Sequence, residues 1–185
     1  MKFFRWLWKS NSLLSWVIWL VIIFIVIKFL VFPFLGLIFG TSMPLVVVEG
    51  NSMQHEGNFE KWFSLHGSWY EKNNITKQEI LDYWPYLNGL NKGDIIVLKG
   101  SKEYKKGEII VFRAEGKKTP IIHRIVSIKN ESNKTIYSTK GDRNDGQLLE
   151  EIAITKEQIV GKAIARVPAL GWIKLFFVEI LKIFV

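Results

Sequence analysis

The feature that most constrains this chain is a long apolar run near its beginning. From Leu13 to Gly40 the residues are almost wholly apolar, broken by Lys28 and Pro33. Leu13 to Phe32 alone supply the ~20 residues that cross a bilayer core. A cleaved signal peptide has a shorter apolar region of ~7–15 residues that ends in a small-residue cleavage site, and this run is too long and too bulky for that. We therefore expect a transmembrane anchor over residues 13–40.

The charges around this run predict its orientation. Lys2, Arg5 and Lys9 precede it, and no acidic residue occurs among the first twelve positions. Because basic segments stay preferentially on the cytoplasmic side, we expect residues 1–12 in the cytoplasm and the rest of the chain outside it. Lys28 fits near the exit end, where its ammonium reaches the interface, so we expect the helix to end at about Phe32.

The end of the chain carries a second apolar segment. Pro168 and Gly171 introduce residues 172–185, whose only charges are Lys174, Glu179 and Lys182. On a helical wheel these three charges fall within about 140° of one another and leave a broad apolar face. We expect an amphipathic helix that lies in the membrane interface. A second span is the disfavoured alternative, because the segment is short and carries three charges.

Between the two membrane segments the pattern changes to short runs rich in β-branched residues. Such runs, separated by Gly, Lys and Asn turns, are typical of an antiparallel β domain, which we place over residues 41–171. The six runs are Leu45–Val48, Ile95–Leu98, Ile109–Phe112, Ile121–Ile128, Thr135–Thr139 and Gln158–Ala165.

Residues 54–90 differ in character and indicate a partly helical insertion in this domain. The segment is rich in Trp and Tyr at helical spacing, and Thr76 with Glu79 forms a capping-box pattern before Ile80. The aromatic side chains either form a small satellite core or an exposed surface for membrane or substrate. The sequence leaves both alternatives open.

Composition excludes several kinds of site. The net charge of +8 is spread along the chain without an arginine-rich run, so we expect no nucleic-acid partner. The chain has no cysteines and therefore neither disulfides nor thiolate metal ligands. His55 and His66 lack the spacing of a helical zinc site, so we expect neither a metal nor another cofactor. Catalysis must then come from hydroxyls, imidazoles, carboxylates or amines.

Two polar residues stand out as candidates for chemistry. Ser52 follows an apolar strand and the turn residues Gly50 and Asn51. Such a strand fixes the position of a nucleophile, and the turn exposes its oxygen. An ordinary turn serine is the alternative. His123 lies inside an apolar strand, where an unpaired imidazole would be costly, so we expect it to have a partner. A hydrogen-bonded core histidine is the alternative.

Two acidic residues follow a later strand. Asp142 and Asp145 lie in a turn, from which a carboxylate can accept the ring N–H of a histidine and orient it. An ordinary Asx turn is the alternative for both of them.

Taken in order, six motifs resemble the successive conserved boxes of signal peptidase I. The resemblance covers about residues 15 to 175 and is closer to the archaeal and endoplasmic-reticulum branch, because His-Arg stands where the usual bacterial branch has a lysine base. The motifs are the turn Gly50–Met53 and the segments Asn91–Val97, Lys106–Val111, Ile122–Val126, Thr139–Asp142 and Gly161–Ala165.

This resemblance implies a fold and an activity. The fold is mainly β, a signal-peptidase-like antiparallel domain with an N-terminal transmembrane helix, the helical insertion and the C-terminal amphipathic helix. The activity is that of a membrane-bound serine endopeptidase that cuts signal peptides from exported preproteins after small residues, at Ala-x-Ala-like sites. Ser52 would be the nucleophile and His123 the base. The implied partners are preprotein signal peptides, the lipid bilayer and the translocation machinery. The implied location is the cell membrane or a membrane of endoplasmic-reticulum type.

Two departures from the family pattern leave parts of this interpretation open. The link from the Ser52 turn to the next motif is much longer than usual, and Leu148 stands where many members carry the third acid. Asp142, which matches the motif, and Asp145, which needs a shifted loop, are therefore the candidates for that acid. Glu150 or Glu151 would reach only by a different loop path. An inactive membrane-tethered binding module and a narrow-specificity membrane protease are the rival functions.

Overall fold

The computed structural model describes residues 2–131 and 134–183, and its centre is a six-stranded sheet. All neighbouring strands pair antiparallel, in the order β1-β2-β6-β3-β4-β5. All six predicted runs form strands, and the predicted antiparallel β fold is confirmed. The strands are β1 Leu45–Val47, β2 Ile95–Lys99, β3 Ile109–Phe112, β4 Ile121–Glu131, β5 Lys134–Lys140 and β6 Ile159–Val167.

The middle of the sheet explains why β3 is apolar at every position. β3 lies between β6 and β4, and all four of its residues are buried. Ile109 and Val111 pack in a core with Met53, whereas Ile110 and Phe112 pack in a second core with Tyr137. Because successive side chains of a strand point to opposite faces, β3 joins the two cores of the sheet.

The N-terminal part is helical. α1 covers Lys2–Lys9, α2 covers Leu13–Val26, a wide π turn covers Ile27–Val31 and α3 covers Phe32–Phe39. Within the described residues, the continuous helical stretch from 13 to 39 is the one long and apolar enough, by length and composition, to cross a membrane.

The helix runs on past Phe32, the end that Lys28 led us to expect. In the π turn the backbone N–H of Phe32 donates to the carbonyl oxygen of Ile27, five residues back. This wider turn accommodates Pro33, which lacks an N–H and would clash in a regular helix. Gly40, with a φ of +60°, then ends the helix in the left-handed conformation that favours glycine.

The last turn of α3 is fastened to the sheet. The N–H of Gly100, just after β2, donates to Phe39 O at 2.8 Å. The hydroxyl of Thr41 donates to Val160 O, in β6, at 2.7 Å. These two bonds attach the helix directly to two neighbouring strands.

The insertion contains two helices, α4 Phe59–Lys72 and α5 Lys77–Tyr83. Asn58 caps the first, and Thr76 caps the second by accepting the N–H of Glu79 at 3.1 Å, as the capping-box pattern predicts. Of the two alternatives for the aromatic residues, the structure favours a satellite core. Its buried members are Phe59, Trp62, Tyr70, Ile75, Ile80, Trp84 and Val126.

The chain ends in the predicted helix, α6, which covers Trp172–Ile183; residues 184 and 185 lie outside the described residues. Leu175 is buried, and Lys174 pairs with Glu49 at 2.9 Å, so one side of the helix rests on the domain. Large apolar side chains on α6 remain exposed, among them Phe176 and Phe177.

Candidate active site

Ser52 lies in a tight turn after β1. The turn is closed by the N–H of Gln54, which donates to Asn51 O at 3.0 Å. The next residue, Met53, is buried in the core, and its carbonyl accepts the N–H of Leu90 at 2.8 Å. The turn is therefore held at its buried end, while Ser52 is half-buried at the edge of a cleft.

The His123 imidazole links this serine to a carboxylate. Its Nε2 lies 2.8 Å from Ser52 Oγ, and its Nδ1 is hydrogen-bonded to Glu151 Oε1. His123 is held in β4 opposite Ile110 of the central strand and is only 4% exposed. Ser52, His123 and Glu151 thus form one hydrogen-bonded chain from solvent to a fully buried carboxylate.

The partners of Glu151 orient it toward the imidazole. Oε1 also accepts the Thr139 hydroxyl at 3.2 Å, and Oε2 accepts the N–H of Leu148 at 2.7 Å. A histidine that donates Nδ1–H to a carboxylate presents its Nε2 lone pair on the opposite side of the ring. In this arrangement Nε2 can accept the hydroxyl proton of Ser52, which is the requirement for activating a serine nucleophile.

The structure places neither candidate aspartate at His123. Asp145 is exposed. Asp142 is fully buried, and both of its oxygens bond to Arg124, at 2.9 and 2.7 Å. The expectation that an acid of the Asp142–Asp145 turn orients the imidazole is therefore not met, because the Asp142 carboxylate binds Arg124 and His123 Nδ1 is bonded to Glu151 instead.

Glu151 reaches His123 by the different loop path that the sequence left as an alternative. After the turn, residues 149–151 form a short 3-10 turn, and Ile154 exchanges two backbone hydrogen bonds with Tyr137 of β5. The chain therefore folds back beside β5 and directs Glu151 inward. Its neighbour Glu150 points to the surface and pairs with Lys117 at 3.1 Å.

The buried Arg124–Asp142 ion pair is stabilised by charge and by hydrogen bonds. Burial by itself raises the pKa of the Asp142 carboxyl, but the charge and hydrogen bonds of Arg124, together with His55, outweigh it and hold the pKa well below its usual range. The remaining donors of Arg124 go to the carbonyls of Pro85, Tyr86 and Gly107.

The insertion covers this ion pair. His55 Nε2 lies 2.9 Å from Asp142 Oδ2, and its ring stacks on Trp62 with centroids 4.1 Å apart. The indole N–H of Trp62 donates to Asp142 O at 3.0 Å. Two side chains of the insertion therefore hold the residue that begins the turn behind the Ser52–His123 pair.

A buried lysine supports the same turn. Lys140 donates to Gly141 O at 3.0 Å, and its ammonium lies 4.7 Å from the centre of the Tyr70 ring in α4. Burial lowers the pKa of Lys140 to about 8, although the carboxylates of Asp142 and Glu151 oppose the shift. Lys140 thus ties the turn to the insertion.

A cleft of about 710 Å³ opens in front of Ser52 and His123. One wall is β1 with the residues that follow it, the other is residues 119–122, and Phe32 of the N-terminal helix also lines the cleft. β1 is an edge strand of the sheet. Among the strands that the structure describes, Ile121 and Ile122 pair with β3 alone, since β5 pairs with β4 from Arg124 onward. Both walls therefore offer free backbone groups to an extended peptide.

No protein-family model matches the chain. Curated relatives are found, however. Homologues of this chain include signal peptidase catalytic subunits. The signal peptidase complex catalytic subunit SEC11C of Homo sapiens is 34% identical over 91 residues, 45% of this chain and 47% of that protein. SEC11 of Scheffersomyces stipitis is 32% identical over 95 residues, covering 48% and 57%. The chain spans about half the length of these curated relatives.

These relatives confirm the resemblance to the endoplasmic-reticulum-type signal peptidases. The signal peptidase motifs identified Ser52 and His123, but they did not show that Glu151 lies at His123 or that His55 lies at Asp142. His55 carried no motif and was considered only as a metal ligand. Arg124 is part of the His-Arg motif. Because neighbouring side chains of a strand point to opposite faces, the sequence could have placed Arg124 on the face opposite His123.

Proposed function

We propose that this chain is a membrane-bound serine endopeptidase that removes signal peptides from exported preproteins. The observation that carries the proposal is the hydrogen-bonded chain from Glu151 through His123 to Ser52, at the edge of a cleft with free strand edges. The homology to signal peptidase catalytic subunits supports this substrate class.

In the proposed reaction Ser52 Oγ attacks the carbonyl carbon of the scissile bond while His123 Nε2 takes its proton. Glu151 stabilises the resulting imidazolium through Nδ1–H. His123 then gives the proton to the departing amine, and a water molecule, activated by the same base, hydrolyses the acyl-enzyme. The backbone N–H of Ser52 donates to the oxyanion, and one such donor is typically worth ~3 kcal/mol.

The cleft is suited to an extended peptide. A substrate strand inserted between β1 and residues 119–122 would bond through its backbone, with alternate side chains pointing into the walls. These walls are largely apolar. We propose that they accept small side chains before the cut, as in an Ala-x-Ala site.

The membrane arrangement is part of the proposal. The helix from 13 to 39 would span the bilayer with residues 1–12 in the cytoplasm, and its attachment to β2 and β6 would hold the domain at the outer surface. The exposed apolar side of α6 would rest in the interface. Preproteins delivered by the translocation machinery would then meet the cleft at a fixed depth.

The deciding experiment uses the purified full chain in lipid vesicles with a preprotein that carries an Ala-x-Ala site. We expect cleavage after the second alanine, and losses on the order of 10³–10⁶ in rate for Ser52→Ala and for His123→Ala. Ser68→Ala, an exposed serine of α4, is the matched control and should cleave normally. Normal cleavage by Ser52→Ala would refute the mechanism. Binding of the preprotein without cleavage by the wild type would instead identify a tethered binding module.

A further inference from the structure

The turn after β5 is bonded directly to the nucleophile. The backbone N–H of Arg143 donates to Ser52 O at 2.8 Å, and the N–H of Asn144 donates back to Gly141 O at 3.0 Å. These two bonds fix the backbone at residues 143 and 144 relative to Ser52. A side chain at position 144 is therefore held close to the reacting oxygen by the main chain itself.

The side-chain amide of Asn144 and the imidazole of His123 converge on one point. A Cβ atom added to Gly141 would lie 2.7 Å from Asn144 Nδ2 and 2.8 Å from His123 Nε2. Asn144 also lines the cleft together with Ser52 and His123. The glycine thus leaves the space in which these two side chains approach each other beside the nucleophile.

This amide is not used elsewhere in the described part of the chain. Over residues 2–131 and 134–183, no hydrogen bond or ion pair engages the Asn144 side chain, whereas the nearby Gln147 amide donates to Thr139 O at 2.7 Å. Asn144 is half-buried and borders the cleft. A partly buried amide whose backbone is fixed by hydrogen bonds and whose own N–H is free is suited to bind a group that enters the cleft.

We propose that the Asn144 side-chain amide donates a hydrogen bond to the oxyanion formed when Ser52 attacks the substrate. This rests on the proposed protease function and supplies the second donor beside the N–H of Ser52. The chemistry favours this assignment, because the negative charge develops on the carbonyl oxygen next to Ser52 Oγ. A neutral amide donates to that charge without losing a proton, and it does not compete with His123 as a base.

The test measures kcat and KM separately on a soluble peptide with an Ala-x-Ala site, using the full chain in detergent micelles. Asn144→Ala should lower kcat by about 10²–10³, with KM and the thermal midpoint close to those of the wild type. Asn144→Asp, nearly the same shape, should lose more, because it places a negative charge beside the oxyanion. Asn88→Ala, an exposed asparagine outside the cleft, is the matched control.

A peptide aldehyde provides a readout that a purely structural role would not move. Ser52 adds to the aldehyde carbon, and the resulting hemiacetal oxygen occupies the oxyanion position. Asn144→Ala should weaken aldehyde binding by the same factor as kcat/KM, while a non-cleavable peptide binds as before. A kcat within about threefold of wild type, or a rise in KM at constant kcat, would overturn the proposal. Failure of the wild type itself to cleave would refute the protease function and this inference with it.

Discussion

Gly141 offers a direct test of how tightly the site is built. It is buried between Lys140 and Asp142, and its backbone is outside the left-handed region, so alanine meets no backbone strain there. The added Cβ would nevertheless lie 2.8 Å from His123 Nε2 and 2.7 Å from Asn144 Nδ2. Both distances are well below an ordinary van der Waals contact of ~3.5 Å.

The clash of the added Cβ with His123 predicts a lower kcat. To restore normal contact, the His123 ring must move by about 0.7 Å, while its Nδ1 is held by the buried Glu151. A displacement near 1 Å in a catalytic group costs on the order of 10²-fold in rate. We expect Gly141→Ala to lower kcat by about that factor. Overpacking should cost ~1–3 kcal/mol in the free energy of unfolding, and the domain should remain folded.

Gly146→Ala is the matched control, because it lies in the same loop and its added Cβ would have no atom within 4 Å. Both variants are assayed for peptide hydrolysis and for the thermal midpoint of unfolding. If Gly141→Ala hydrolyses the peptide as fast as Gly146→Ala, the imidazole tolerates the displacement and the reasoning is refuted. Complete unfolding of Gly141→Ala alone would also contradict it, since the expected cost is modest.

Three further predictions concern the acid at His123, the buried ion pair and the membrane orientation. Glu151→Gln should lower kcat by about 10³–10⁴ in the peptide assay, whereas Glu150→Gln, at the surface, should leave it unchanged. Asp142→Asn leaves a buried guanidinium without its counter-charge and should cost about 3–5 kcal/mol in chemical denaturation at pH 7. The pKa of the Asp142 carboxyl is depressed in the folded state, so its ionised form stabilises the fold fully above the unfolded pKa of about 4. This stabilisation is lost as the pH falls below that value. The difference in unfolding free energy between wild type and variant should therefore shrink in acid. Since the chain has no cysteines, an impermeant maleimide should label Ser68→Cys in intact spheroplasts and Asn11→Cys only after the membrane is opened; the reverse pattern would refute the proposed orientation.

The strands could be predicted from the sequence because their signals are local. Runs such as Ile109–Phe112 are rich in β-branched residues and bounded by turn residues, so each can be recognised as a strand before its neighbouring strand is known. Ser52 and His123 could be proposed for a related reason, since each lies in a short motif and the order of the motifs is informative. The end of the N-terminal helix was less predictable, because the π turn that accommodates Pro33 leaves no simple pattern.

The sequence left Glu151 only as an alternative for the acid at His123, because the position of that acid depends on contacts between distant parts of the chain. The family motif favoured Asp142, and a shifted loop favoured Asp145. The loop path is instead held by the pairing of Ile154 with Tyr137 and by the bond from Gln147 to Thr139 O. The contact of the insertion with the site was hidden for the same reason. His55 and Asp142 are 87 positions apart, and no local pattern connects them.

The side chain of Arg124 connects the long insertion to the strand and turn that form the site. Its guanidinium bonds to Asp142 behind the site, to carbonyls at residues 85 and 86 at the end of the insertion, and to Gly107 before β3, while Trp84 packs against it at 5.1 Å. A planar group with five donors can join several segments at once, which a lysine could not do. Because Arg124 directly follows His123 in β4, fixing its guanidinium also fixes the strand that positions the imidazole. The insertion thereby helps to fix the arrangement of side chains on which the proposed chemistry depends.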